Sequence, residues 1–254
     1  MLKSTLIHSL QDIQNNILDI LKETIITDSF LLVAQPIISF DGSIVFYEIL
    51  SRIIVSDDYI LHPNSFLPIA RSAKLLPSLD KTIIRQTLKH IHNSSNENSF
   101  SINITPKTLV EPDFMELIKD LLLKYHINPN KIIFEIIESD IVNQQLVVRV
   151  INELRKIGIR IAIDDFGEGY SNYSRLKCLN IDILKIDGSF IKDVITNEFD
   201  KKVVQSFCEI AKLKNAKTVA EFIENKETMD FLISKGIDYF QGYYISRPIE
   251  LVDI

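Results

Sequence analysis

The chain has 254 residues, of which 46% are hydrophobic and 24% charged, and its formal net charge is −6. That balance is far from a disordered composition and supplies enough apolar residues for a sizeable core. No block of Lys and Arg is long enough to track duplex nucleic acid, so a polynucleotide partner is not expected.

The first segment, Met1 to Leu21, is interrupted by Lys3, His8, Asp12 and Asp19. It carries neither the apolar centre of a signal peptide nor a membrane span, and a cytoplasmic location is expected. Within it Leu6, Leu10, Ile13, Ile17 and Ile20 recur at steps of four and three. That spacing predicts one helical face, read as a helical extension over residues 1–27 packed against its own domain in preference to a dimer seam.

From Leu31 onward short apolar runs alternate with helical patterns. Strands are predicted at Leu32–Ile38, Ile44–Ile53, Phe100–Ile104, Ile132–Ile137, Arg160–Asp164, Ile183–Ile186, Thr218–Glu221 and Tyr239–Tyr244. Helices are predicted at Phe66–His92, Phe114–His126, Gln144–Ile157, Lys201–Leu213 and Lys226–Lys235. Such alternation argues for a parallel sheet with crossovers, and this number of strands argues for closure into a barrel. Ser39 to Ser43 reads as a hairpin turn, which sets one strand antiparallel. The predicted fold is therefore α/β, a modified TIM (β/α)8 barrel with one antiparallel strand near the N-terminus, forming one domain over residues 28–254. Cys178 and Cys208 have no spacing suited to a disulfide framework or a metal site, and both are expected to be buried.

A strand buried on both faces has no place for a charge without a partner or a task. Here Glu48, Asn103, Glu135, Asp164, Lys185 and Glu221 each sit in or at the end of an apolar run, with Gln241 in the last. Faces alternate with period two, so Asn103 opposes Ile102 and Ile104, and Lys185 opposes Leu184 and Ile186. If the apolar set faces the helices, the polar set converges on the barrel axis and lines the mouth where barrel active sites lie. Oxygen ligands from one Asn and several acids suit hard divalent cations, Mg²⁺ or Mn²⁺ in preference to Zn²⁺, since no His falls at a strand end. Two such ions about 3.5–4 Å apart clamp a phosphodiester and activate water, and Asp164-Asp165 is placed to bridge them. Lys185 reads equally as a structural partner of a carboxylate or as a group that orients the nucleophile.

These residues resemble the EAL domain, the phosphodiesterase domain of bacterial cyclic di-GMP signalling. The likeness is carried, in order, by Gln35-Pro36-Ile37, Glu48-Ile49-Leu50-Ser51-Arg52, Asn103 in Ile-Asn-Ile-Thr, Phe134 to Glu138, Asp164-Asp165-Phe166-Gly167, Leu184 to Asp187, Val219-Ala220-Glu221, Glu224, and Gln241 to Tyr244 with Pro248. The resemblance implies hydrolysis of cyclic di-GMP to linear pGpG. It implies Glu48, Asn103, Glu135 and Asp164 as ligands of a first metal and Asp165 and Glu221 as ligands of a second. Lys185 then looks like the holder of the attacking water, and Gln35, Leu50, Arg52, Asp187 and Gln241 look like substrate contacts. Glu138 resembles the anchor of a loop over Phe166–Tyr173 that couples dimerisation to metal binding, and a homodimer through Lys201–Leu213 is implied.

Three positions depart from the family pattern: Ile49 stands where Ala is usual, Phe222 where Gly is usual, and Glu168 where a small or hydroxyl residue is usual. By alternation Ile49 and Phe222 are expected to face the helices, and Glu168 to point into solvent. The alternative function carried by these departures is a cyclic di-GMP receptor or protein-interaction module with weak or no turnover.

Overall fold

The computed structural model describes residues 10–56, 58–94, 97–137, 144–167 and 173–254. The element order begins α1 (Leu10–Ile26), β1 (Leu31–Ser39), β2 (Ile44–Ser56), β3 (Tyr59–Leu61), α2 (Pro63–Ser72), α3 (Leu76–Asn93), β4 (Phe100–Asn103), α4 (Pro106–Leu109), α5 (Phe114–Lys124), β5 (Ile132–Ile137) and α6 (Gln144–Lys156). It continues β6 (Arg160–Phe166), α7 (Tyr173–Cys178), β7 (Ile183–Ile186), α8 (Gly188–Ile191), α9 (Glu198–Leu213), β8 (Lys217–Ala220), α10 (Lys226–Lys235), β9 (Tyr239–Phe240) and β10 (Ile249–Glu250).

The sheet runs β1-β9-β8-β7-β6-β5-β4-β2, and β2 returns to pair with β1, so eight strands close into a barrel. Strands β2 and β4 to β9 are mutually parallel, whereas β1 is antiparallel to both β2 and β9. The physical cause is the short turn after β1. Gly42 takes φ 84° there, a conformation open to glycine without strain, and the four residues between the strands cannot supply a crossover helix. β10 pairs with the other end of β1, and β3 extends the edge of β2.

Every barrel strand is read in two phases. Ile49, Ile102, Phe134, Ile163, Leu184 and Ile186 face outward and join the helices in the main core. Ile37, Phe46, Ile133, Ala162, Ile183 and Val219 form a separate cluster inside the lower half of the barrel. The interior is thus plugged with apolar side chains at the end where the parallel strands begin, and the polar residues occupy the other end.

The helical face expected at the N-terminus is present in α1. Ile13, Ile17 and Leu21 are buried in the main core, and the helix packs on α2, α3 and β2. Leu6 lies outside the described residues.

Four expectations are corrected. The single helix expected over Phe66–His92 is two helices, because Lys74 adopts φ 59° and turns the chain before Pro77 opens the first turn of α3. The last expected strand shrinks to Tyr239–Phe240, since Gly242 departs to approach another backbone, so Gln241 follows the strand instead of lying in it. Glu221 likewise falls just past β8. Cys178 is exposed at the end of the short helix α7, whereas Cys208 is buried.

Candidate active site at the barrel mouth

Residues two apart on a strand share a face, and this carries the polar layer up from the plug. Phe46 leads to Glu48 on β2, Ile133 to Glu135 on β5, Ala162 to Asp164 on β6, and Ile183 to Lys185 on β7. Val219 and Tyr239 lead in the same phase to Glu221 and Gln241. On the reversed strand β1 the order inverts, so Gln35 precedes Ile37 and pairs in register with Glu48.

Lys185 is the hub. Its Nζ lies 2.7 Å from Glu135 Oε2, 2.8 Å from Asp164 Oδ1, 2.8 Å from Glu221 Oε1 and 3.5 Å from Glu48 Oε2, with 1% of its side chain exposed. Asn103 Nδ2 donates to Glu48 Oε1 at 3.0 Å, and Gln241 Nε2 donates to Glu48 Oε2 at 2.6 Å. Gln241 Nε2 also reaches Gln35 Oε1 at 3.2 Å, and Gln35 Nε2 donates to the Ser246 carbonyl at 3.0 Å. Each oxygen of Glu48 therefore has a fixed donor.

Asp165 follows Asp164 and by strict alternation should point to the opposite face. Instead the β6–β7 register shifts between Ile163 and Phe166, and Asp165 adopts φ 52°. This bulge turns the second carboxylate back to the mouth. Ligand atoms of Asp164, Asp165 and Glu221 then lie within 4.8 Å of one another.

The electrostatics follow from burial. Burial alone would push the Lys185 ammonium down, but Asp164, Glu135, Glu221 and Glu48 together raise it well above its ordinary value. Burial raises Glu135 to about 8, with repulsion from Glu48 and Asp164 opposing the pull of Lys185. Glu221 is also raised well above the carboxylate range, again by burial first and by its acidic neighbours. For Glu48 burial is outweighed by Lys185, Gln241 and Asn103, and the carboxyl is lowered. Four carboxyl groups thus share one ammonium, and burial with mutual repulsion pushes two of them, Glu135 and Glu221, above the ordinary carboxylate range. Glu135 Oε1 is buried without a hydrogen-bond partner. Such an acceptor, beside oxygen-only ligands, fits hard divalent cations.

Of the five residues expected as substrate contacts, Gln35, Leu50 and Gln241 line the cleft beside this centre. Leu50 and Arg52 continue the inward phase of Glu48 on β2, and Arg52 Nη1 donates to the Ser51 carbonyl at 2.8 Å. Asp187 accepts from Ser189 N at 3.0 Å as the cap of α8, so its carboxylate positions that turn. Glu138 and Glu168 lie outside the described residues, as does much of the loop over Phe166–Tyr173.

Phe222 corrects an expectation. It does not face the helices but stands 52% exposed at the mouth with φ 54°, because the strand ends at Ala220 and alternation no longer governs it. Ile49 does face the helices and is 2% exposed. Asp80 of α3 was missed by sequence reasoning. Buried, it accepts from Thr105 N at 2.9 Å, Thr105 Oγ1 at 2.8 Å and Thr108 Oγ1 at 2.5 Å, fixing the turn directly after Asn103. The readable signal was a lone acid on the apolar face of a helix.

Fold and mouth together define a (β/α)8-barrel domain with a buried, carboxylate-rich centre whose Asp164, Asp165 and Glu221 could hold a metal ion. The chain belongs to the EAL domain family, whose profile matches residues 18–248. It is 39% identical over 237 residues to the cyclic di-GMP phosphodiesterase PdeF of Escherichia coli (strain K12), covering 92% of this chain and 32% of that protein. To the cyclic di-GMP phosphodiesterase PdeA of Borreliella burgdorferi it is 34% identical over 240 residues, covering 92% and 36%. The chain therefore spans about a third of the length of these relatives. Among solved structures, the EAL enzyme Bd1971 in its cAMP- and cyclic-di-GMP-bound form superposes with a TM-score of 0.87 at 26% identity, over 97% of this chain and 69% of that one.

Proposed function

We propose that this domain hydrolyses one phosphodiester of cyclic di-GMP to linear pGpG with two Mg²⁺ or Mn²⁺ ions. The observation that carries the reading is the buried ring of Glu48, Glu135, Asp164 and Glu221 around Lys185. Relatives named for this activity, at 39% and 34% identity, support it. Glu48, Asn103, Glu135 and Asp164 would hold the first ion, and Asp165 and Glu221 the second. Bound there, the ions supply Lewis acidity and an activated water for in-line attack.

The chain's own groups do the positioning. Asn103 and Gln241 lock the two oxygens of Glu48, so that ligand is set before substrate arrives. The Lys185 ammonium stays charged amid the carboxylates, and an N–H released when one of them turns to an ion would orient a water from the barrel axis. Gln35, Leu50, Arg52, Asp187 and Gln241 form the surrounding contacts for the dinucleotide. A homodimer through α9 belongs to the same reading, supported by the exposed Phe199 and Leu213 at the two ends of that helix. So does a cytoplasmic setting, supported by two unpaired cysteines. Among the described residues no helix is long and apolar enough to cross a membrane.

The competing reading, a receptor or interaction module without turnover, draws on Phe222 standing in the mouth. One experiment separates them. Purified protein with Mg²⁺ or Mn²⁺ is expected to convert cyclic di-GMP to pGpG, and Glu48→Gln to reduce conversion to background. Tight binding of the dinucleotide with no product, under both metals, would establish the receptor instead.

A further inference from the structure

A cleft of about 260 Å³ opens beside the acidic centre, lined by Gln35, Leu50, Glu221, Phe222, Gln241 and Tyr243 among others. Its aromatic wall has no part in holding cations. Phe222 follows Glu221 directly and takes φ 54° with 52% of its surface exposed. A bulky side chain in the left-handed region is strained by roughly 1–3 kcal/mol, a conformation that glycine adopts freely. An exposed phenyl ring also forgoes the gain of burial. Half of the residue's surface is left to solvent, so folding recovers only part of what its burial would give.

The ring is nevertheless held in place. It lies against Gly188, where an added Cβ would come within 2.2 Å of Phe222 Cδ2. Lys192 Nζ sits 4.9 Å from its centroid. Tyr243, on the same cleft, is 62% exposed and backed by the Arg247 guanidinium 4.4 Å from its ring centroid. Strain and exposure of the ring, with the cationic Lys192 and Arg247 beside the two aromatic rings, point to a ligand with a flat apolar face and nearby negative charge. A nucleobase joined to phosphate has both, and base stacking on an aromatic ring is sequence-tolerant and strong.

We propose that Phe222 is a specificity-determining residue whose ring stacks on a purine base of the cyclic dinucleotide in the cleft that Tyr243 also lines. The inference rests on the cyclic di-GMP reading of this site. Three variants of the protein test it, in steady-state kinetics with cyclic di-GMP and Mn²⁺. Phe222→Leu keeps apolar bulk but loses the aromatic face, and is expected to raise KM about 5- to 100-fold with kcat changed less than about 2-fold. Phe222→Tyr is expected to keep KM within about 3-fold of the parent. Phe222→Gly is expected to raise KM like the Leu variant while raising the melting temperature, because the backbone strain is gone.

Loss of affinity together with gained stability is a signature that a merely structural Phe would not give. A Phe222→Leu variant with the KM of the parent overturns the proposal. If the parent binds cyclic di-GMP without turnover, Kd from calorimetry replaces KM with the same expectations. If the parent neither binds nor hydrolyses it, the functional reading fails and this inference falls with it.

Discussion

Glu135 and Asp80 are both buried acids, and each makes a pH-dependent expectation with a definite sign. Burial raises Glu135 to about 8, so at pH 7 the cation-free protein keeps a proton there. A divalent ion that takes Glu135 as a ligand must displace that proton. Titrating Mn²⁺ into the metal-free protein at pH 7, in two buffers of different ionisation enthalpy, is expected to reveal release of about one proton or more per protein. Heat of binding independent of the buffer would remove Glu135 from the ligand set. Asp80 is raised from 3.8 to about 6, burial outweighing its hydrogen bonds from Thr108 and Thr105. Above 3.8 the unfolded chain gives up this proton while the folded chain retains it, so stability falls as pH rises through 6 and is flat beyond. Relative to Asp80→Asn, the parent is expected to lose up to about 3 kcal/mol across that window, measured by urea unfolding between pH 4 and 7. A constant difference between the two proteins would contradict the assignment.

Elements place these residues through small departures from regularity. The bulge in β6 turns Asp165 to the side of Asp164. After β9, Gly242 lets Gln241 come close to another backbone: an added Cβ would lie 2.2 Å from Ile223 N, and Ile223 N donates to the Gln241 carbonyl at 3.0 Å. The crossing joins the segment after Glu221 to the one carrying Gln241. Helix α1 shows the opposite lesson, since its regular face suffices to dock it. Leu21 is fully buried against the core, so Leu21→Ala is expected to lower unfolding free energy by about 2–5 kcal/mol. Denaturant titration checks this, and a change below about 0.5 kcal/mol would mean that α1 is dispensable to the barrel.

At the scale of the whole molecule the barrel interior divides the labour. Ile37, Phe46, Ile133, Ala162, Ile183 and Val219 hold the strands together from within, and the carboxylates sit above them. The hydrophobic plug is what lets an unfavourable cluster of buried acids persist, because its packing does not depend on cations. Phe46→Ala is expected to cost about 3–5 kcal/mol of stability through loss of buried area and the cavity left behind. The folded variant is expected to bind Mn²⁺ at the parent's stoichiometry, as read by calorimetry. Loss of the metal sites at unchanged stability would reverse this division.

The sequence by itself determined the fold class and most of the polar layer, because period-two alternation ties Glu48, Glu135, Asp164 and Lys185 to the inner face wherever the strand is regular. It also determined the reversed first strand, since so short a turn admits only an antiparallel partner. Only the tertiary structure decided where alternation stops. Asp165 joined the cluster and Phe222 came to the mouth through positive-φ residues at strand ends, and Asp80 acquired its role through threonines of another element. Local periodicity fixes a side chain's phase within one strand. Bulges, turns and contacts between distant segments are settled by packing around the closed barrel, and no local pattern encodes them.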